Sequence, residues 1–331
     1  MRVVVDAMGG DHGLQVVVEG AVAAARDGRA VVLVGRESDI TAELTKYSGV
    51  SGIEVIHASE VIEMHEHPAS AVRQKKDSSI VAGLRLIKEG KANAFFSAGN
   101  SGAVMAGALF TLGRIEGVHR PAIGGVLPLL HGQVFLADIG ANADCDPQNL
   151  LQFAQMGAAY MEHVFGLKRP RVGLISNGEE ETKGNALVQG TLPLLKGSGL
   201  NFIGNVEGKD VTRGAADVAV CDGFTGNVIL KLAEGMQELI LGLVREAIMS
   251  KPIYKIAGAI LRPGLRAAGR RLDYAEYGGA PLIGVRGAVF IGHGRSNARA
   301  IANGIHAASR AAEGGLIQRL EGSLMAVGAG A

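Results

Sequence analysis

The chain has few of the residues that mark disulfide-rich and nucleic-acid-binding proteins. It contains two cysteines, no tryptophan and only 4% aromatic residues, and its 33 lysines and arginines nearly balance 32 acids. Two cysteines cannot build a disulfide framework, and they are compatible with a reducing compartment. Because the net charge is only +1, no global attraction to nucleic acid is expected, and any basic partner surface must be local.

Long apolar segments are also missing. No uncharged apolar run approaches the roughly 20 residues that a membrane-spanning helix needs. The first residues, Met1 to Asp6, enter a strand pattern directly and do not resemble a signal peptide. We therefore expect a soluble, cytoplasmic protein.

Glycine is abundant instead, with 49 residues, and short runs rich in Val, Ile and Leu alternate with helix-length segments. This alternation predicts a layered α/β/α sheet. Because no Pro/Ser-rich linker divides the chain, we expect one catalytic unit over residues 1–321 and a frayed, disordered tail over 322–331. The predicted strands are Arg2–Asp6, Ala30–Val34, Ile53–His57, Ala94–Ser97, Gln133–Asp138, Arg171–Ser176, Phe202–Asn205 and Val218–Cys221.

The segment Ser97–Ala103 has the pattern of an anion-binding turn. It follows a short apolar run and precedes a helical pattern, so free backbone N–H groups and the positive end of a helix dipole would meet there. Its glycines allow close backbone approach, and Asn100 and Ser101 add side-chain donors. The alternative is an ordinary strand-to-helix turn with an Asn or Ser N-cap.

Similar small polar clusters follow most of the predicted strands. Ligands of open α/β sheets bind beyond the carboxyl ends of strands, so we expect the clusters to form one composite site. The candidate binding residues in them are Asp6, Gly9, Gly10, Asp11, Ser97, Gly99, Asn100, Ser101, Gly102, Asp138, Asn142, Asp222, Thr225 and Gly226.

Taken in order, these clusters carry a resemblance to a known family. The matching segments are 5–12, 71–79, 97–103, 138–142, 181–185, 222–227, 277–280 and 293–296. Through them the chain resembles the bacterial phosphate acyltransferase (PlsX) family, from residue 1 to about residue 310.

The resemblance implies a three-layer α/β/α fold with a mixed, mostly parallel sheet, similar to isocitrate and isopropylmalate dehydrogenases and to phosphotransacetylases. It implies a homodimer that transfers the acyl group of acyl-acyl carrier protein to inorganic phosphate. Attack of phosphate on a thioester requires no redox cofactor, and no cofactor is expected. The acyl phosphate would then feed phospholipid synthesis through a membrane glycerol-3-phosphate acyltransferase.

Three residues are candidates for catalysis, because attack of phosphate on a thioester needs an anion cradle and donors for the developing oxyanion. Lys183, with its neighbour Asn185, would pair with phosphate or the oxyanion; a solvated lysine is the alternative. Asn227 would donate its amide to the carbonyl, cap a helix, or do both. His293 would protonate the departing thiolate or bind phosphate; a structural histidine is the alternative. Nearby, the family usually has Ser where this chain has Arg295.

Neither cysteine is expected to carry the acyl group. Asp144 and Asp146 flank Cys145, and Asp222 follows Cys221, and adjacent carboxylates raise the pKa of a thiol. Direct attack by phosphate is therefore the expected mechanism.

Two basic segments are candidates for partner contacts. Arg73, Lys75 and Lys76 form a local positive patch that would bind phosphate or the acidic carrier protein; a solvated helix face is the alternative. The second segment is residues 241–272, which hold seven Lys and Arg residues against one acid.

The segment 241–272 is expected to form a hairpin of short helices that begin at Pro252 and Pro263. Its apolar residues recur at helical spacing, with cations off that stripe. Such a surface suits peripheral contact with the anionic inner face of the cell membrane, packing in a dimer, or docking of the carrier protein. The residues expected to make these contacts are Lys255, Ile256, Ile260, Arg262 and Arg266.

Other functions stay open at this level. A phosphotransacetylase that uses coenzyme A thioesters is the first alternative, and a catalytically inactive scaffold that recruits the carrier protein to membranes is another. A nicotinamide dehydrogenase is disfavoured because no adenosine-binding motif is present. The His-Glu-His segment at 65–67 lacks a partner cluster, so no metal site is predicted.

Overall fold

The computed structural model describes residues 1–272 and 278–328, so Tyr277 of the predicted 277–280 segment lies outside the described residues. Within them, eleven strands form one sheet: β1 (Arg2–Asp6), β2 (Ala30–Gly35), β3 (Ile53–His57), β4 (Ala94–Ser97), β5 (Ala122–Pro128), β6 (Gln133–Ala137), β7 (Arg171–Ile175), β8 (Asn201–Val206), β9 (Val218–Val220), β10 (Ala280–Ile283) and β11 (Ala288–Ile291). Their order across the sheet is β3-β2-β1-β4-β11-β10-β5-β6-β9-β7-β8.

The sheet reverses direction near its middle. Strands β3, β2, β1, β4 and β11 are mutually parallel. Strand β10 pairs antiparallel with β11 and β5, and β5 pairs antiparallel with β6. Strands β6, β9, β7 and β8 are parallel to one another and run opposite to β1 and β4. The carboxyl ends of β1, β4 and β11 therefore form what we call the first edge, and those of β6, β9 and β7 form the second edge.

Both faces of the sheet are buried, which explains the near-continuous apolar runs of its strands. Successive side chains alternate between faces: Val3 and Val4 of β1 enter different cores, as do Phe135 and Leu136 of β6. Helices cover both faces, so the predicted three-layer α/β/α fold with a mixed sheet is confirmed. The helices are α1 (Leu14–Arg26), α2 (Glu37–Leu44), α3 (Pro68–Gln74), α4 (Ser79–Lys88), α5 (Ser101–Thr111), α6 (Pro147–Phe165), α7 (Ala186–Lys196), α8 (Gly208–Arg213), α9 (Gly223–Met249), α10 (Pro252–Leu272), α11 (Ala298–Glu313) and α12 (Leu316–Gly328).

The two helical layers differ in continuity. On one face, α1, α6 and α11 pack into a single core that runs along the sheet. On the other face, α3, α4 and α5 cover the half that contains β1 and β4, while α8 and the start of α9 cover the half that contains β6 and β9. Between these two groups the cover over β5 and β10 is incomplete, and this gap positions the candidate site.

Helices α9 and α10 pack against each other as a hairpin. With 27 residues, α9 is about 40 Å long, and most of its length is exposed. The predicted helix start at Pro252 is confirmed, but Pro263 lies inside α10, so two short helices were the wrong expectation. A proline removes one backbone hydrogen bond from a helix without preventing helical structure on both sides of it. In the described ranges, no helix is both long and apolar enough to cross a membrane.

All eight predicted strands are present, within one residue at either end. Three strands stand outside those eight. The apolar run Val289–Ile291 before His293 indicates β11, but the sequence patterns did not predict β5 and β10, because the pair Gly124-Gly125 and the prolines Pro128 and Pro281 are unfavourable signals for a strand. Residues 322–328 of the expected tail continue α12, and residues 329–331 lie outside the described ranges.

We predict that Gly124→Ala destabilises the protein by about 3 kcal/mol, at the upper end of overpacking costs. A Cβ at Gly124 would lie 1.9 Å from Cζ of the fully buried Phe135 ring, so the strand or the ring must move. The measurement is urea unfolding. The matched control is Gly208→Ala, where a Cβ meets nothing within 4 Å and the change should stay within about 0.5 kcal/mol. Equal midpoints for both variants would contradict the packing described for β5.

Candidate active site

A cavity of about 380 Å³ fills the gap between α5 and α9, a size typical of small-molecule sites. Its deeper wall is apolar and buried or half-buried, and we call it the apolar floor: Ile123, Gly125, Leu127, Ile139, Leu230 and Ile291. Its opening carries polar, mostly exposed side chains, and we call it the polar rim: Asp11, Ser101, Asn227, Lys231, Glu234 and His293. Of the predicted site residues, Asp11, Ser101, Asn227 and His293 line this cavity.

The predicted clusters do not form one group, because the two halves of the sheet run in opposite directions. The clusters after β1 and β4 meet at the first edge, together with the loop after β11. Those after β6, β9 and β7 lie at the second edge. Helix α9 begins at the second edge, and its residues 227, 230, 231 and 234 line the cavity with the spacing of one helical face. The cavity therefore contacts both groups.

At the first edge, a buried carboxylate joins two loops. The side chain of Asp6 is 2% exposed; its Oδ2 accepts a hydrogen bond from Ser97 Oγ at 2.7 Å, and its Oδ1 accepts one from Met8 N at 3.1 Å. Burial raises the pKa of Asp6, and the hydrogen bonds it accepts oppose that rise. Asp6 and the fully buried Ser97 thus hold the loops in place and do not line the cavity.

The glycines of this edge allow the loops to touch. A Cβ at Gly9 would lie 2.7 Å from Gly99 N and 2.6 Å from Asp6 Oδ2, and Gly10 has a φ of +101°, which favours glycine. Asp11 N then donates to Gly294 O at 2.8 Å, which connects the β1 loop to the loop that carries His293.

The predicted anion-binding turn is largely organised as a helix cap. Asn100 is the N-cap of α5, and its Oδ1 accepts a hydrogen bond from Ala103 N at 3.0 Å. Its Nδ2 donates to the carbonyls of Glu63, Met64 and Glu66. Gly102 lies against Pro68, because a Cβ added at Gly102 would be 2.6 Å from Pro68 Cγ. Of this turn, the exposed Ser101 is the residue that lines the cavity.

His293 lies where the rim opens into a second polar recess, whose lining includes Lys231, Glu234 and Arg295. Burial, with Lys231 as the next cause, lowers the pKa of His293 below its ordinary 6.5, so the imidazole is largely neutral at pH 7. Its Nδ1 accepts a hydrogen bond from Arg295 N at 3.1 Å, which leaves Nε2 to carry the proton and act as a donor.

At the second edge, Asp138 organises the loop after β6. This fully buried carboxylate accepts hydrogen bonds from Ile123 N, Gly140 N and Ala141 N at 3.1 Å each, and from Asn142 N at 2.7 Å and Nδ2 at 2.9 Å. Burial raises the pKa of Asp138, and these donors oppose the rise. Asp138 and Asn142 therefore shape the loop instead of facing the cavity.

The start of α9 is fixed to the same loop. Asp222, not Asn227, is the N-cap, and its carboxylate accepts hydrogen bonds from Thr225 N at 2.8 Å and Thr225 Oγ1 at 2.9 Å. Gly226 packs so closely that an added Cβ would lie 1.9 Å from Asp138 O. Asn227 follows in the helix, exposed on the rim, and its Nδ2 donates to Ile139 O at 3.2 Å.

Lys183 and Asn185 lie apart from the cavity. Lys183 is exposed in the loop between β7 and α7 at the second edge, where its side chain contacts Gly178. Asn185 is the N-cap of α7 and accepts a hydrogen bond from Val188 N at 3.0 Å. Strand β9 lies between β7, which this loop follows, and β6, and Lys183 does not line the cavity, so the structure does not bring Lys183 to the rim.

Both thiols are poor nucleophiles. Burial, with Asp138 as the next cause, raises the pKa of Cys145 to about 11. Burial and then Asp222 raise the pKa of Cys221 well above its ordinary value. Both pKa values are raised, as predicted, but Asp144 and Asp146 are not among the causes of the raised pKa of Cys145.

The two basic segments lie outside the cavity. Lys75 Nζ donates to Glu66 Oε2 and to Val61 O, both at 2.6 Å, so it is engaged within the fold. Arg73 is exposed and stacks over the ring of Phe110, 5.0 Å from its centroid, and Lys76 is exposed. The five predicted contact residues of α10 are exposed.

A separate acidic group, Glu179, Glu207 and Asp210, has carboxylate oxygens within 4.8 Å of one another in the described part of the chain. Lys209 pairs with Glu207 and lies 3.8 Å from Glu179, so a lysine already offsets this negative charge.

Sequence patterns missed the apolar floor and two rim residues, Lys231 and Glu234. The floor lies mainly on β5, a strand without a clear signal. The spacing of Asn227, Leu230, Lys231 and Glu234 was the signal that could have revealed the helical side of the cavity.

We predict that Asp138→Asn destabilises the protein by about 3 kcal/mol, because an amide turns an NH2 group toward donors that need an acceptor. Chemical unfolding measures the change. Asp146→Asn is the matched control: Asp146 is the N-cap of α6, and Asn caps a helix as well as Asp does. A loss for Asp138→Asn no larger than for the control would show that the hydrogen bonds of Asp138 do not hold this loop.

Comparison with known proteins agrees with the architecture. A phosphotransacetylase from Streptococcus pyogenes has a TM-score of 0.64 at 18% identity, covering 95% of this chain and 94% of its own. The EutD phosphotransacetylase from Staphylococcus aureus has a TM-score of 0.60 at 19% identity, with 94% of each chain covered. At such identities, the likeness shows a shared fold.

Sequence relatives are much closer. A phosphate acyltransferase from Pelotomaculum thermopropionicum is 48% identical over 328 residues, covering 99% of this chain and 96% of its own. One from Carboxydothermus hydrogenoformans is 50% identical over 319 residues, with 96% of each covered. The family model described as "Fatty acid synthesis protein" matches residues 1–319. The chain therefore belongs to this fatty acid synthesis protein family, that of the phosphate acyltransferases (PlsX), which are enzymes that transfer an acyl group to phosphate.

Proposed function

We propose that the chain transfers a fatty acyl group from acyl-acyl carrier protein to inorganic phosphate, and that the acyl phosphate serves phospholipid synthesis. The observation that carries the proposal is the cavity, in which a polar rim of hydrogen-bonding groups surrounds an apolar floor. A thioester that bears a hydrocarbon chain has the same division between a polar reacting end and an apolar tail.

In the proposed reaction, a phosphate oxygen attacks the thioester carbonyl carbon. The C–S bond breaks, the new C–O bond completes the acyl phosphate, and the carrier leaves as a thiolate that takes up a proton. The Asn227 amide would donate to the oxygen that becomes negative during attack. The Nε2–H of His293 would hydrogen-bond phosphate or the departing sulfur, since the ring is largely neutral at pH 7.

The remaining predicted binding residues are proposed to act through the loops. Asp6, Ser97, Asp138 and Asn142 are buried, so they would position Asp11, Ser101 and Asn227 instead of touching substrate. Such support matters because small displacements of reacting groups cost rate.

Lys183 is proposed as an anion partner on different grounds. Its position within the family's Glu-Thr-Lys-Gly-Asn segment supports the role, whereas its place outside the cavity does not. A phosphate contact would require the exposed loop between β7 and α7 to approach the rim.

Direct transfer is proposed over an acyl-cysteine intermediate. A thiol attacks as its thiolate, and the raised pKa of Cys145, about 11, leaves little thiolate at neutral pH.

The exposed hairpin is proposed to serve assembly and localisation. One stripe of α9 exposes Val228, Leu232, Leu239 and Leu243, and α10 exposes Ile256 and Ile260 among cations. Apolar surface of this extent marks an interaction site. We propose that a second copy covers part of it as a homodimer, and that the basic tip contacts the anionic cytoplasmic face of the cell membrane, close to the membrane acyltransferase that uses acyl phosphate.

The donor is tested by comparing palmitoyl-acyl carrier protein with palmitoyl-coenzyme A, with phosphate as acceptor and hydroxylamine trapping of the acyl phosphate. We expect the wild type to form acyl phosphate from the carrier-protein donor. For Asn227→Ala we expect a kcat/KM at least about 100-fold lower than that of the wild type, as for loss of an oxyanion donor. The kcat/KM of Lys183→Ala is compared with that of the control Lys196→Ala, which replaces another exposed lysine of the same region. A preference for coenzyme A would favour the phosphotransacetylase alternative, and binding of the carrier without turnover would favour the scaffold.

Membrane contact is tested by sedimentation with anionic vesicles. We expect the wild type to bind and the double variant Ile256→Asp, Ile260→Asp to lose binding, because two carboxylates enter the apolar surface and face anionic lipid. Lys76→Asp is the control, a charge change on an exposed residue away from α10. Analytical ultracentrifugation of the double variant distinguishes the alternatives: dimers are expected, and monomers would assign these residues to the dimer instead.

A further inference from the structure

We propose that the apolar floor is the subsite for the hydrocarbon chain of the acyl donor, and that Gly125 on β5 sets the longest chain that fits. This inference rests on the proposed acyl transfer and adds where the chain lies and which residue limits it.

Strand β5 supplies the floor through its alternation. Ile123, Gly125 and Leu127 line the cavity, and residues two apart on a strand share one face. A Cβ at Gly124 would instead point at Phe135 in the opposite core, whereas a Cβ at Gly125 would meet Ile139 Cδ1 at 3.0 Å. The strand thus presents one position without a side chain between two large apolar ones on the cavity face.

Helix α9 covers this floor with an apolar residue between polar ones. Leu230 lies between Asn227 and Lys231 on the helix face that lines the cavity. The first edge supplies Ile291, which pairs with Ser97 of β4 and with Ala280 of β10. Ala280 also lines the cavity, so the apolar lining extends across β11, β10 and β5, about 10 Å for two strand spacings, from the His293 loop to Gly125.

Because the polar rim leads directly into the apolar floor, the cavity suits a ligand with a polar end and an apolar tail. A group held at the rim by His293 and Asn227 can extend its tail inward over the apolar floor, where hydrocarbon loses no hydrogen bonds. A coenzyme or nucleotide fragment would instead leave polar atoms unpaired on the floor. The fitting ligand is the hydrocarbon chain of an acyl thioester or of its acyl phosphate product.

Gly125 is the residue of this floor at which added bulk fills the cavity without replacing an existing contact. The contacting Ile139 Cδ1 is the end of a flexible side chain, and Gly125 carries no positive φ. Alanine and then leucine at this position should therefore shorten the accessible floor in steps while the fold is retained.

The test compares hexanoyl- and palmitoyl-acyl carrier protein as donors for wild type, Gly125→Ala and Gly125→Leu. We expect the palmitoyl-to-hexanoyl ratio of kcat/KM to fall in order, by about tenfold or more for Gly125→Leu, the scale at which pockets discriminate hydrocarbon size. The matched control is Gly208→Leu, on an exposed residue with open space around it, which should keep the wild-type ratio.

Calorimetric binding of hexadecyl phosphate and butyl phosphate gives a readout that needs no turnover. We expect Gly125→Leu to weaken hexadecyl phosphate about tenfold more than butyl phosphate. If wild type transfers no acyl group but this selective loss is seen, the proposed function fails and the chain subsite stands. If turnover is normal and Gly125→Leu weakens long and short ligands equally, the subsite proposal is overturned.

Discussion

The three antiparallel pairings in the middle of the sheet, of β11 with β10, β10 with β5 and β5 with β6, are the constraint on which the rest of the structure depends. Together they reverse the direction of half the sheet, so the loops after β1 and β4 emerge at one edge and those after β6, β9 and β7 at the other. The helical layer over this junction is divided, and α9 crosses from the second edge toward the first. The cavity is the space that this division leaves over β5.

Two buried carboxylates give that space its shape. Asp6 joins the loops after β1 and β4 through Ser97, and Asp138 gathers backbone donors of its own loop and of β5. Burying a carboxylate costs free energy, and the hydrogen bonds that it accepts in the protein interior offset this cost. As a result, the residues that face the cavity, among them Ser101, Asn227 and His293, sit on loops and a helix start that these hydrogen bonds hold in place.

The sequence predicts the layers and most strands, because buried parallel strands such as β1 and β9 are uninterrupted apolar runs. It predicts the polar clusters but not their roles. In the sequence, Asp6, Asp138 and Asn100 look like groups that bind a ligand. The fold shows that they already form hydrogen bonds within the protein: Asp6 with Ser97, Asp138 with Ile123, and Asn100 with carbonyls distant in sequence. Strand β5 escapes prediction for the opposite reason, because the glycines that weaken its strand signal leave room for Phe135 on one face and for the cavity on the other.

The central claim is that acyl transfer takes place in the cavity between β5 and α9, with the chain on the apolar floor and the reacting end at the rim. The most direct measurement is a crystal structure of the protein with hexadecyl phosphate. We predict the phosphate beside His293 and Asn227, with the chain passing over Gly125 beneath Leu230. A chain bound along the exposed face of α10, or a phosphate held at the Lys183 loop with the cavity unfilled, would contradict the account.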